Sequence, residues 1–197
     1  MKRIIILALV FTATTSYAYD SNPFAVESAI YKIEIQNGNT IHSGTGVLIA
    51  RDKILTNCHV VRNAGTFKVI NSHSGQEYPT TLYYNLGNYD ACILMGNFTE
   101  GDPVVLSTHF DIGEQVWSYG YPQGIGGFGQ GVIIGLVNTN KVTAIESGLF
   151  CNPGSSGGPL LNVKGQLVGL NFGTRTDHGH DKCLSIPVSQ LLPFIQN

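Results

Sequence analysis

Apolar and polar residues alternate with a period of two along much of this chain. Ala29, Tyr31, Ile33 and Ile35 are interleaved with Lys32, Glu34 and Gln36, the pattern of a strand that buries one face. Asn37-Gly38-Asn39 then turns the chain, and short apolar runs follow at 46–49, 54–55, 67–70, 82–84 and 91–95. After a polar break near 100–111, which contains Pro103, the runs resume at 116–119, 132–137, 142–145, 159–161 and 167–172. Turn residues such as Asn71-Ser72 and Ser74-Gly75 punctuate them. Many short strands with turns between them predict an all-β protein of antiparallel barrels or sandwiched sheets. Only the end departs from this period. Val188, Leu191, Leu192 and Ile195 lie at helical spacing, predicting a short C-terminal helix opened by Pro187 and strained by Pro193.

The N-terminus follows a different rule. Lys2-Arg3, an unbroken apolar run over 4–11, and Ser16-Tyr17-Ala18 have the order of an export signal cleaved after residue 18. The apolar run is too short to span a bilayer, which takes about 20 residues. No later run is long enough to act as an anchor, so the expectation is an exported, soluble protein, periplasmic or extracellular. The polar break divides the remainder into expected halves of 19–107 and 108–197.

Composition narrows the function classes. Hydrophobic residues make up 43% and charged residues 12% of the 197, which excludes a disordered tail. A net charge of −2 gives no basic footprint for nucleic acid. Four cysteines, Cys58, Cys92, Cys151 and Cys183, form an even set in an exported chain, so disulfides are expected, in one of three connectivities. None forms a Cys-x-x-Cys pair, which disfavours structural zinc.

Three segments carry chemistry. Asn152-Pro153-Gly154-Ser155-Ser156-Gly157-Gly158-Pro159 places serines among glycines between apolar flanks. Such glycines allow positive φ and let backbone N–H groups converge on a developing oxyanion. The same five residues, 154–158, also fit a Gly-x-Ser-x-Gly elbow, but that fold needs parallel strands, helices and a later Asp and His. Upstream, Leu55-Thr56-Asn57-Cys58-His59-Val60-Val61 sets a histidine after an apolar strand, and Tyr89-Asp90-Ala91-Cys92 sets an acid at the mouth of another. Taken singly, these residues read as a structural histidine and a strand-end cap. Together they give the chain order His, Asp, Ser.

These motifs resemble the trypsin-like (chymotrypsin-fold) serine proteases, and among them the bacterial HtrA-like group. Gly44-Thr45-Gly46-Val47-Leu48-Ile49 resembles that group's first barrel strands. Tyr119-Gly120-Tyr121-Pro122-Gln123-Gly124 resembles its Gly-x-Pro-x-Gly loop, and Val168-Gly169-Leu170-Asn171 its substrate-binding strand. The resemblance implies two antiparallel β-barrels with a cleft between them and peptide-bond hydrolysis without a cofactor. It makes Ser156 the nucleophile, His59 the base and Asp90 its orienting acid, with the N–H groups of Gly154 and Ser156 as the oxyanion hole. Activity is expected to rise with pH as the imidazole becomes neutral. Ser155 departs from the Asp or Asn usual before the nucleophile, which leaves open how that loop is held.

The resemblance also implies a specificity pocket with Phe150 at its base, where trypsins carry an acid. Asn171 stands where glutamyl-specific relatives carry His. Small or medium apolar residues are therefore expected before the scissile bond. If His59 and Asp90 meet, their neighbours imply a Cys58–Cys92 disulfide, and the pocket's borders imply Cys151–Cys183. The group commonly adds C-terminal PDZ modules, which are not expected here, and the oligomeric state is undetermined. His178-Gly179-His180-Asp181 matches no established metal pattern and reads as a solvated loop between strands. The expected partners are protein or peptide substrates. The competing expectation is a catalytically silent protein that kept the fold to bind peptides.

Overall fold

The computed structural model describes residues 23–62 and 66–196, so the export signal expected over 1–18 lies outside the described residues. The chain is all-β apart from short helical segments, and the strands foreseen from the period of two fall where the alternation put them. The first half contains β1 (Ile30–Asn37), β2 (Thr40–Ala50), β3 (Lys53–Thr56), β4 (Thr66–Asn71), β5 (Glu77–Tyr78), β6 (Thr80–Asn85) and β7 (Cys92–Gly96). These form one antiparallel sheet in the order β5-β4-β1-β2-β3-β7-β6. Its two edge strands, β5 and β6, are separated in sequence only by Pro79. One residue cannot bridge a flat seven-strand sheet at about 4.8 Å per strand, so the sheet must curl until its edges meet. Proline suits the corner because it has no N–H to leave unpaired.

The second half contains β8 (Gln115–Gly120), β9 (Gly127–Asn138), β10 (Thr143–Ser147), β11 (Pro159–Asn162), β12 (Leu167–Asp177) and β13 (His180–Pro187). They close into a barrel in the order β10-β13-β12-β11-β8-β9. The last strand, β13, begins at His180, inside the segment that the sequence reads as a loop between strands. Its first residues, His180, Asp181 and Lys182, are polar and exposed or half-exposed, so apolar alternation begins only near Cys183. His178-Gly179 is the tip of the β12–β13 hairpin, both residues at positive φ (48° and 79°) as a tight two-residue turn requires. Among the described residues no group of three or more His, Cys, Asp and Glu could hold a metal.

The C-terminal helix α2 (Val188–Ile195) runs through Pro193 and buries Val188, Leu191 and Ile195. The crossover between halves is pinned within a few residues. The Val104 N–H donates to Leu48 O of β2 at 2.9 Å, and the Ser107 N–H donates to Leu167 O of β12 at 2.8 Å. Inside the first half, Tyr31 packs edge-on against Tyr78 and Phe98, which are tilted to one another, at 5.5–5.8 Å between ring centres. The Tyr31 hydroxyl donates to Glu100 O, which satisfies its buried polar tip.

Candidate active site

Strands β3 and β7 are antiparallel neighbours with Thr56 opposite Cys92. The end of one therefore lies beside the start of the other, and the residues just beyond meet. After β3 the chain enters a single helical turn, α1 (Cys58–Val61), which buries Cys58, Val60 and Val61 and leaves His59 facing outward. Asp90 sits just before β7. Its carboxylate is gripped twice by one residue: the His59 N–H donates to Oδ1 at 2.9 Å, and His59 Nδ1 lies 2.5 Å from Oδ2. The Asn57 side-chain amide donates to Asp90 O at 2.7 Å, closing the loop from the other side. The disulfide Cys58–Cys92 joins the same two segments.

Burial pushes the Asp90 carboxyl up, but the hydrogen bonds and charge of His59 outweigh it and hold the group below the usual carboxylate value. An ionised Asp90 accepts from Nδ1–H, and this leaves Nε2 of a neutral ring as a free acceptor.

The second half supplies a tight turn. The Ser155 N–H donates to Asn152 O at 2.9 Å, and the Asn152 N–H reaches Ser155 Oγ at 3.4 Å. Ser155 thus closes the loop through its own hydroxyl, answering how the turn holds without Asp or Asn. Gly154 is at φ 105°, and a Cβ there would lie 2.0 Å from Tyr121 O; Gly157 is at φ 81°, with a Cβ 2.1 Å from Thr45 O. Both positions demand glycine on conformational and steric grounds. Thr45 of β2, fully buried, spans the turn. Its N–H donates to Ser156 O at 2.9 Å and its hydroxyl donates to Gly154 O at 2.8 Å. In the sequence Thr45 reads as barrel strand only, and no local signal marks it as a clamp. Among the described residues, the N–H groups of Gly154 and Ser156 find no acceptor within the protein.

His59, Ser156 and Gly154 line one cavity of about 500 Å³ between the halves, together with Asn152, Phe172 and Gly173. A second cavity of about 300 Å³ is lined by Asp90, Tyr89, Val142 and Phe172. Phe172 touches both because a β-bulge in β12 falls between Asn171 and Gly173, and bulges re-aim side chains in this way.

Two expected site residues behave differently from the expectation. Phe150 is 72% exposed and is not among the residues lining the cavity. Its neighbours Leu149 and Cys151 both point inward, so alternation throws Phe150 out, and it is not the base of a pocket. Asn171 does line the cavity, but its hydrogen-bonding groups are engaged inside the protein. The Gly157 N–H donates to its carbonyl and its own N–H donates to Gly158 O. Its side-chain amide donates to Ser118 Oγ and Pro159 O and accepts from Ser185 Oγ. Asn171 therefore ties β12 to the serine turn. The implied Cys151–Cys183 disulfide is formed and fastens the start of that turn to β13.

Comparison with known proteins identifies the family and the fold. Residues 44–170 match the trypsin-like peptidase domain. A probable periplasmic serine endoprotease, DegP-like, from Pseudomonas fulva is 33% identical over 74% of this chain and 32% of its own length. The serine protease Do-like HtrB of Bacillus subtilis is 30% identical over 77% of this chain and 37% of its own length. The chain thus spans about a third of the length of the curated relatives it matches. In three dimensions the Rv3671c protease from M. tuberculosis, active form, superposes with a TM-score of 0.81 at 19% identity, covering 98% of this chain and 93% of the other. The serine endoprotease from Yersinia pestis gives 0.76 at 23% identity, over 91% of this chain and 65% of the other. At these identities the two solved structures speak for the fold.

Proposed function

The chain belongs to the trypsin-like peptidase family, and from that premise we propose that it is a serine endopeptidase working through Ser156, His59 and Asp90. The observation that carries this reading is the double contact of His59 with Asp90, with His59 lining the same cavity as a serine turn that has, among the described residues, two unpaired N–H groups. Ser156 Oγ attacks the scissile carbonyl while His59 Nε2 takes its proton. The oxygen, now negative, is held by the N–H groups of Gly154 and Ser156, each such donor contributing about 3 kcal/mol to the lowered barrier. His59 then returns the proton to the leaving amine, and water repeats the sequence on the acyl-enzyme. Asp90 keeps the imidazole in the productive tautomer and stabilises it once charged.

Substrate backbone would run along the edge of β12 at 172–174, which pairs with β13 on its other side. The cavity walls offer Cys151, Pro153, Phe172 and Gly173 and, among the lining residues, no acid. This supports a preference for small or medium apolar residues before the cut, on grounds independent of Phe150. Export with removal of residues 1–18 is part of the same proposal, and N-terminal sequencing of the mature protein tests it.

Purified protein is expected to hydrolyse an unfolded protein substrate, and a fluorophosphonate is expected to label Ser156. Ser156→Ala should abolish labelling and lower turnover by about four to six decades without loss of folding. A wild-type protein that folds, binds peptides and neither cleaves nor labels would establish the silent binding protein instead.

A further inference from the structure

Resting on the reading of Ser156 as nucleophile, we propose that the Cys151–Cys183 disulfide determines specificity. It is the floor against which the side chain before the scissile bond comes to rest, and its two sulfurs confine that residue to short side chains such as Ala and Val. Two stretches of chain line the cavity around Ser156, 151–156 and 171–174. They are fastened together at both ends. Beside the nucleophile, the Gly157 N–H donates to Asn171 O at 2.8 Å and the Asn171 N–H donates to Gly158 O at 2.9 Å. At the opposite ends, Thr174 is the register partner of Cys183 on β13, and Cys183 is bonded to Cys151. The two stretches and their fastenings make a closed ring, in which the disulfide is the covalent rung. Phe150, thrown outward by alternation, takes no part in this closure.

Cys151 is also where the cavity ends and the core of the second half begins. It lines the cavity, and it belongs with the fully buried Cys183 to the apolar cluster that contains Val116, Ile133, Ile145 and Leu160. Ser147 of β10 stands directly opposite Cys183, so their side chains share one face of the sheet. Ser147 is fully buried, and among the described residues its hydroxyl has no hydrogen-bond partner. An apolar cluster with one unsatisfied hydroxyl is therefore the interior that the bridge separates from substrate. A short apolar side chain can rest against polarizable sulfur. A longer one would have to displace a covalent bridge that is itself part of a close-packed core, and such cores resist even one added methylene.

Steady-state kinetics on peptides that differ only in the residue before the cut (Ala, Val, Leu, Phe) test the floor. Wild type should favour Val over Phe in kcat/KM by about tenfold or more, a discrimination that added methylenes command in an apolar pocket. Cys151→Ala combined with Cys183→Ala removes both sulfurs and should move the Val-to-Phe ratio toward Phe by about tenfold or more. Cys151→Val combined with Cys183→Ala refills the space without a bond and should restore most of the wild-type ratio. A bridge that merely held the serine turn would, when removed, lower kcat/KM for every peptide alike and leave the ratio unmoved. A first double variant that folds with an unchanged ratio therefore overturns the proposal, as does a second that folds and discriminates no better than the first. Wild-type protein that cleaves after Phe as readily as after Val overturns it with no variant at all, and that ratio decides alone if neither double variant folds. Failure of the underlying reading is distinguishable: there the wild-type protein would cleave none of the peptides and take no fluorophosphonate.

Discussion

The two halves build their parts of the site by different means. In the first, His59 and Asn57 each bond Asp90 directly, the strands that lead to them are neighbours, and a disulfide joins the same segments. In the second, the serine turn is fastened mainly from elsewhere: by Thr45 of β2, by the 121–124 segment, and by Asn171 of β12. The acid–base pair is a product of local strand pairing, whereas the nucleophile's turn is held by distant segments of its own half and, through Thr45, by the other half. The first half also leaves its sheet open at Pro79, while the second closes its hydrogen-bond ladder fully. What matters for the site is where each loop finds its partners.

The contrast can be broken most sharply at Asp90. Asp90→Asn should lower kcat about 10⁴-fold, by favouring the wrong imidazole tautomer, while leaving the serine turn intact. Steady-state kinetics against circular dichroism would check this, and a loss below tenfold would remove Asp90 from the mechanism. Next come the disulfides. Their sequence separations are 34 and 32 residues, so loop entropy alone makes each worth about 3–4 kcal/mol. Chemical denaturation of the two paired Cys→Ala variants should give nearly equal losses, and a large inequality would mean that one half depends on its bridge for packing.

Thr45→Val keeps the shape of a buried clamp but removes its hydroxyl. A loss of about 1–2 kcal/mol of stability is expected, with a fall in kcat and an undisturbed His59–Asp90 pair as seen by imidazole proton NMR. The pH dependence separates the halves more gently. Because the folded state holds the Asp90 carboxyl below its ordinary value, that group contributes stability above the unfolded value of about 3.9. The contribution is lost as pH falls through the lower folded value. The stability gap between wild type and Asp90→Asn should therefore narrow on acidification below about pH 4, and a gap that widens would contradict the assignment. The smallest effect belongs to Phe150→Ser: an exposed side chain outside the cavity should change kcat/KM for apolar substrates less than twofold.

Much of this was legible before any coordinates. The period-two alternation located nearly every strand because a half-buried strand must repeat every second residue. The start of β13 escaped because its first turn's worth of residues is polar on both faces, as the tip of an exposed hairpin can be. Phe150 was misplaced for a related reason: counting six residues back from Ser156 fixes a position along the chain but not the side on which the residue emerges. Leu149 and Cys151, by taking the inward places, decided that. Ser155 looked like a gap in the motif and is instead a closing hydrogen bond.

The sequence by itself determined the strand-rich architecture, the short terminal helix, the order of His59, Asp90 and Ser156, and the glycines that only a crowded turn would need. Those are properties of local periodicity and of single residues. Which N–H groups stay unpaired at the serine turn was decided only by the tertiary structure. The Thr45 hydroxyl reaches a carbonyl 109 residues away in the other half, and within the second half Gln123 reaches Pro153, 30 residues on. Hydrogen-bond partners so far apart leave no periodic trace in the chain, because nothing local constrains either residue until the strands around them assemble.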